Sequence, residues 1–332
     1  MSYRKRNYKP PLITLAVLTA AAVGVVALSL RGAPAETPVD AAPALMEEVS
    51  AAPASAAVST AEPTLSPTAE PTADPVGPVF SEYPDLGKPV KLTREEAIDR
   101  LYRLAPQDWR LIEILNHKEA YSDDTLKALG NNLELLDFIC SYDSAEKTAN
   151  GGFTEAELAA PHPRLMQWDS RWGYVNYGSG PIGVTGCGPT CLSMVALSLT
   201  GNADATPDAI AADSLKCGFY TPGAGSTWTL ISEGCADFGL IARELPLWED
   251  KMKDALDTGE QIICCVGPGD FTLSGHFIVV YDYTEEGFRV NDPNSNLRSE
   301  KIWPYSVLQA QISNLWALSA ADETKTAVRK SD

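Results

Sequence analysis

The chain has 332 residues, a length that allows about two domains plus extensions, and it sets 44 acidic residues against 26 basic ones for a formal net charge of −18. Five of the 26 basic residues and none of the 44 acidic ones lie in the first 31, so 21 basic residues face 44 acidic ones in the remainder. A surface of that sign argues against a nucleic acid as partner, because phosphate binding draws on clustered Lys and Arg, and it suits either a basic peptide or simple solubility.

The N-terminus reads as a delivery segment. Residues 1–10 carry Arg4, Lys5, Arg6 and Lys9, and Pro11 to Leu30 is an uncharged, largely apolar run closed by Arg31. At a rise of about 1.5 Å per residue such a run crosses a hydrocarbon core of about 30 Å. The expectation is a single-pass signal anchor over 11–30, with residues 1–10 cytoplasmic and the rest extracytoplasmic. A cleaved signal peptide with Ala33-Pro-Ala35 as its small-residue site is the alternative and would make the protein secreted. The run exceeds the usual apolar core of about 7 to 15 residues, which favours the anchor. Residues 31–88, rich in Ala, Pro and Thr, have too little apolar material to bury and are expected to form a disordered tether that supplies reach.

A small helical region is expected over 89–145. Thr93-Arg-Glu-Glu96 is a capping-box signature, and Ala97, Ile98, Leu101, Tyr102 and Leu104 follow it up to Pro106. Trp109, Ile112 and Leu115 are expected to continue one apolar face, Asp124 to open the next helix, and Leu133, Leu136, Phe138 and Ile139 to form the last one. His117 lies in a charged stretch and reads as solvated.

The segment that can carry chemistry is Gly186-Cys187-Gly188-Pro189-Thr190-Cys191. Behind it Leu192, Val195, Ala196 and Leu199 fall on one helical face, and Gly201 supplies a stop. Cys187 therefore sits at or just before a helix N-terminus, where unpaired N–H groups and the helix dipole favour a thiolate. Gly186 and Gly188 are expected to leave room for a substrate backbone to approach the sulfur. Further on, a helix opens at Thr206-Pro207 and another after Ser226 or Thr227. Strand-like runs follow at Ile241 to Leu245, Gln261 to Val266, His276 to Tyr283 and Gly287 to Asn291. Helices first and strands later predict an α+β domain with an antiparallel sheet.

His276 stands at the entrance of a strand, and Phe288, Val290 and Asp292 share a face in the alternating pattern, so Asp292 can meet His276 from the neighbouring strand. A thiol at a helix start, an imidazole to move its proton and a carboxylate to orient the imidazole are the parts of nucleophilic acyl transfer. Read singly, each has a plain structural alternative: a core cysteine, a strand-end histidine, and a turn former before Pro293. No cofactor is expected. Cys187 and Cys191, one turn apart, have no clustered histidines beside them, so no metal is expected either. Seven cysteines beyond an anchor suggest disulfides, and the odd number leaves at least one thiol free, for which Cys187 is the candidate.

Gln167-x-Asp169-x-Arg171-Trp172, Tyr177-Gly178, Ile182, Gly186 to Thr190, Met194-Val195, Gly225-x-x-Trp228, Gly275-His276-Phe-Ile-Val and Asn291-Asp292-Pro293 together resemble the C39-like family of papain-type cysteine peptidases, in its stand-alone branch. The resemblance runs from about residue 163 to 316. It implies a papain-like fold in a domain over 160–318, followed by a polar tail at 319–332. It also implies Cys187 as nucleophile, His276 as general base and acid, Asp292 as the orienting carboxylate, and Gln167, otherwise a loop amide, as oxyanion donor beside the Cys187 backbone N–H. The partners so implied are a peptide or protein substrate and, through the anchor, the cell membrane. The sequence shows no phosphate-binding Gly-x-x-x-x-Gly-Lys motif, so no transporter domain is expected in it. Gly151-Gly152 reads as a flexible linker. The same three groups would serve an amidase or transpeptidase, and a domain that has lost turnover would bind peptide or glycan in a groove lined by Trp168, Trp172 and Trp228. Trp168 and Trp172 are expected to pack on the cysteine helix.

Overall fold

A computed structural model describes residues 88–321, which fall into two units, 88–140 and 141–321. The basic segment, the apolar run at 11–30, the tether up to residue 87 and the tail from residue 322 lie outside the described residues. Among the described residues no helix is long and apolar enough to cross a membrane.

In the first unit the capping box forms as the sequence requires. Glu96 N–H donates to Thr93 Oγ1 at 3.2 Å and Thr93 N–H to Glu96 Oε2 at 2.7 Å, opening the helix Arg94–Leu104. Helices Trp109–Asn116 and Asp123–Asn131 pack on it through Leu101, Leu104, Leu111, Ile114, Leu126 and Leu129, all buried. The expected face at Trp109, Ile112 and Leu115 is corrected: Leu115 is buried, whereas Trp109 and Ile112 are exposed. The turn at Pro106 ends the first helix, and Asp108 starts a new one by accepting from Arg110 N–H at 2.9 Å. The helical phase therefore restarts at Trp109 and turns Leu111 and Ile114 inward.

The second unit is an α+β domain with an antiparallel sheet, consistent with a papain-like fold. Its strands are β1 Leu240–Glu244, β2 Gln261–Val266, β3 His276–Tyr283, β4 Phe288–Asn291, β5 Ile302–Trp303 and β6 Ile312–Ala320. They lie in the order β1-β6-β2-β3-β4-β5, every neighbour antiparallel. The last long strand, β6, is thus inserted between the first two. The sheet separates two buried clusters. On one side Ile263, Phe277, Val279, Trp316 and Leu318 pack against helix α1, Cys187–Thr200. On the other, Ile262, Cys264, Ile278, Val280, Phe288 and Val290 face Met252 and Ala255 of a helix at Glu249–Asp257. The period of two assigns each strand residue to one cluster or the other.

Helix α1 is buried over most of its circumference: Gly188 to Leu197 are all buried, including Thr190 and Ser193. Each polar side chain there meets a carbonyl, Thr190 Oγ1 donating to Gly186 O at 2.8 Å and Ser193 Oγ to Ala205 O at 2.6 Å. Gly201, in the left-handed region at φ 67°, closes the helix. Helix α2, Pro207–Cys217, packs beside it. The helix expected after Ser226 or Thr227 begins at Trp228.

Candidate active site

Cys187 is the first residue of α1, and Gly188 and Phe277 offer their backbone N–H groups to its sulfur. His276 opens β3, pinned there by its register opposite Val266 of β2. Asp292 follows the last residue of β4, whose Asn291 pairs with Val279 of β3. That register leaves His276 and Asp292 side by side, with His276 Nε2 2.8 Å from Asp292 Oδ1. Asp292 takes Nε2, and of the side chains around the Cys187 thiol His276 is the one that lowers its pKa. His276 and Asp292 are buried and Cys187 is half-buried, and Cys187 and His276 line one cleft.

Burial is the largest single influence on the Cys187 thiol and pushes its pKa up. The hydrogen bond and charge of His276, with the N–H groups of Phe277 and Gly188, outweigh it and hold the thiol below its ordinary value. For His276, burial pulls the pKa down, but the charge and hydrogen bond of Asp292, helped by Cys187, raise it to about 9. Burial pushes Asp292 up; the charges of Arg298 and His276 pull it further the other way and keep it well below the usual carboxylate range. A thiol pulled down beside an imidazole pushed up is the condition for a thiolate–imidazolium pair.

Gln167 is buried in the same cleft. Its backbone N–H donates to Pro293 O at 2.7 Å, which ties it to the residue after Asp292. Its side-chain Nε2 donates to Gly183 O at 3.0 Å, an arrangement only the nitrogen end of the amide can make, and Oε1 is buried with no hydrogen-bond partner among the described residues.

The cleft around these groups has a volume of about 790 Å³. Trp228, Tyr220, Phe271 and Leu273 line it together with the segment Gly223 to Ser226, and no Lys, Arg, Asp or Glu is among its lining residues. Of the three tryptophans that a binding groove would use, Trp228 lines the cleft, and Trp172 packs, as expected, in the core cluster that holds α1, donating Nε1–H to Met166 O at 2.9 Å. Trp168 donates its Nε1–H to Asn294 O at 3.3 Å, outside the cleft lining. Asp169 and Arg171 of the same motif are structural: Arg171 pairs with Asp169 and with Glu157, each at 2.7 Å.

Two expectations are corrected. Gly186 and Gly188 do not hold space for a substrate: a Cβ on Gly186 would come within 2.5 Å of Ile182 Cγ2, and one on Gly188 within 2.6 Å of Ser226 Oγ. The chain itself fills that room. Nor do the cysteines pair, since all seven are free. Cys264 and Cys265 do point to opposite faces of β2, Cys264 into the core and Cys265 into the cleft. The residue that sequence reasoning missed is Arg298, buried, with Nε 2.6 Å from Asp292 Oδ2.

Residues 162–321 match the profile of the Peptidase_C39 like family. That segment is similar to the C39-like peptidases. The crystal structure of the peptidase domain of Streptococcus ComA, a bi-functional ABC transporter involved in quorum sensing, is similar at 23% identity, covering 42% of this chain and 93% of that one with a TM-score of 0.32. Among the curated proteins compared, none matches. Of the four residues expected in the site, His276 and Asp292 are hydrogen-bonded, and Cys187, His276 and Gln167 line one cleft.

Proposed function

We propose that the protein is a membrane-anchored, extracytoplasmic cysteine peptidase that hydrolyses peptide bonds by a Cys187–His276–Asp292 mechanism. The observation that carries this reading is the one cleft that Cys187 and His276 line together, with His276 hydrogen-bonded to the buried Asp292 carboxylate. The Cys187 thiolate attacks the scissile carbonyl carbon, and the resulting oxyanion takes the Cys187 backbone N–H and the second N–H of Gln167 Nε2, the first being engaged by Gly183 O. His276, carrying the proton taken from Cys187, gives it to the leaving amine as the C–N bond breaks. An acyl-thioester remains. Neutral His276 then takes a proton from water, the hydroxide attacks the thioester, and the thiolate leaves as the acid departs.

Beyond the Cys187–His276 pair the cleft is lined without Lys, Arg, Asp or Glu, which favours substrates with uncharged side chains beside the scissile bond, because a Lys or Glu there would be desolvated without a partner. The membrane assignment rests on the apolar run at 11–30 and the basic residues before it. The deciding experiment is iodoacetamide alkylation of the full chain against pH with site mapping, for the native protein and for His276→Ala, beside cleavage of a quenched-fluorescent peptide library. Preferential reaction at Cys187 with an apparent pKa well under that of a free thiol, rising in the variant, supports the reading. Reaction at Cys187 no faster than at the exposed Cys140 and Cys217 overturns it.

A further inference from the structure

Arg298 is almost fully buried, at 2% exposure, and it is not on the surface of the catalytic chain but at the end of it. The segment from Asp292 to Trp303 folds back on itself to bring it there. Ser295 caps the short helix Asn296–Ser299 by accepting from Arg298 N–H at 3.3 Å. Ser299 Oγ accepts from Asp292 N–H at 2.9 Å, and Trp303 Nε1–H donates to Arg298 O at 2.9 Å. Within that loop the two carboxylate oxygens of Asp292 have separate duties. Oδ1 accepts from His276 Nε2 and from Asn294 N–H, each at 2.8 Å, while Oδ2 accepts from Arg298 Nε at 2.6 Å.

We propose that Arg298 is the positioning residue of this site: it fixes the rotation of the Asp292 carboxylate and keeps it ionised, so that Oδ1 is always presented to His276. The inference rests on the peptidase reading above. In that reading the four groups alternate in sign, Arg298 positive, Asp292 negative, His276 positive and Cys187 negative, so the buried set is neutral as a whole. Without Arg298 a buried carboxylate of 0% exposure would be left with one cation for two anions. Such a carboxylate takes up a proton at higher pH. The titratable or charged groups facing Asp292 are Arg298 from its own loop, His276 from β3 and Cys191 from α1, the last held neutral by burial. Protonating Asp292 removes the acceptor that orients His276 and raises its pKa, and the thiolate then loses its cation.

The test is the pH profile of iodoacetamide alkylation at Cys187, which needs no substrate, together with kcat and KM for one peptide chosen from the library, in the native chain, Arg298→Met and Arg298→Lys. R298M is expected to move the acid limb of the alkylation profile up by about one pH unit or more, and to lower kcat at least tenfold with KM little changed. R298K, which keeps the charge but not the guanidinium plane, is expected to leave the limb in place and lower kcat less. An unmoved limb in folded R298M overturns the proposal. If circular dichroism shows R298M unfolded, R298K decides: kcat equal to native overturns the positioning role, and a fall in kcat at constant KM supports it. A native chain with no depressed thiol pKa at Cys187 would instead sink the peptidase reading itself, an outcome separate from these.

Discussion

Helix α1 carries two cysteines one turn apart, and their surroundings set them at opposite ends of thiol chemistry. Cys187, in the opening turn, is held below the ordinary thiol pKa; Cys191, four residues on in the core, is pushed well above it. Burial acts on both in the same direction and is the largest influence on each. The difference is the company: His276 and two backbone N–H groups lower the Cys187 pKa, whereas Cys191 has apolar neighbours and the negative charges of Cys187 and Asp292, which raise its own. A nucleophile is thus made by what stands at the helix start, not by exposure. Bordering the cleft is not enough by itself: on β2, Cys264 is buried in the core and Cys265 borders the cleft, yet both are raised by burial.

The comparison breaks most directly at its reactive end. Cys187→Ala is expected to abolish peptide cleavage, a loss on the order of 10⁴-fold or more, whereas Cys191→Ala, which removes one buried sulfur, should keep the chemistry and cost stability alone; residual turnover by C187A at native rates would refute the assignment. Removing the company rather than the thiol comes next. His276→Ala should lower kcat by about 10²- to 10⁴-fold and raise the apparent thiol pKa read by alkylation. In the native protein His276, with its pKa raised to about 9, is protonated below that pH and neutral above it. The thiolate–imidazolium pair is therefore present between the Cys187 pKa and about 9, and kcat/KM should fall on either side of that window. A profile with no alkaline decline near pH 9 would contradict the pairing.

Gln167→Ala is a smaller perturbation, since the Cys187 backbone N–H remains: kcat is expected to drop by about 10²- to 10³-fold. The alkylation profile of Cys187 should stay where it is, because Gln167 serves the oxyanion and not the thiolate. A shifted profile in Q167A would place the amide in the wrong role.

Much of this site is legible in the sequence for a physical reason. Helix starts and strand periods are local, so the 3.6-residue face behind Pro189 and the alternation through Val290 to Asp292 put the thiol and carboxylate where the fold has them. What is not local is not legible. Arg298 reads as an ordinary charged residue after a turn, and only the return of the chain between Asp292 and Trp303 buries it against a carboxylate. Strand β6 hides for a related cause: Leu315 to Leu318 are all buried because the strand lies between β1 and β2 with both faces covered, so it shows no alternation. The cysteine number, read as a sign of disulfides, failed because composition says nothing of where the sulfurs sit, and three of the seven are buried in core clusters.

The smallest expected effect sharpens the comparison from the packing side. Gly188 follows the nucleophile, and a Cβ there would lie 2.6 Å from Ser226 Oγ and 2.8 Å from Ser226 Cβ. Ser226 is not free to retreat, for its hydroxyl is hydrogen-bonded at 2.8 Å to Tyr177, whose own hydroxyl also meets Ser214 Oγ of α2. Gly188→Ala must therefore shift either the first turn of α1 or this hydroxyl chain, at a cost of about 1 to 3 kcal/mol, visible as a lowered Tm. Because the N–H of residue 188 is one of the two that face the sulfur, a shift of the turn would also raise the thiol pKa, while a shift of Ser226 would leave it unchanged. Combining Gly188→Ala with Ser226→Gly opens the space on the other side and should restore both quantities, less the small contribution of the lost Tyr177 hydrogen bond. Failure of the pair to recover Tm would mean that the glycine is required for the backbone of the turn itself and not for its contact with Ser226.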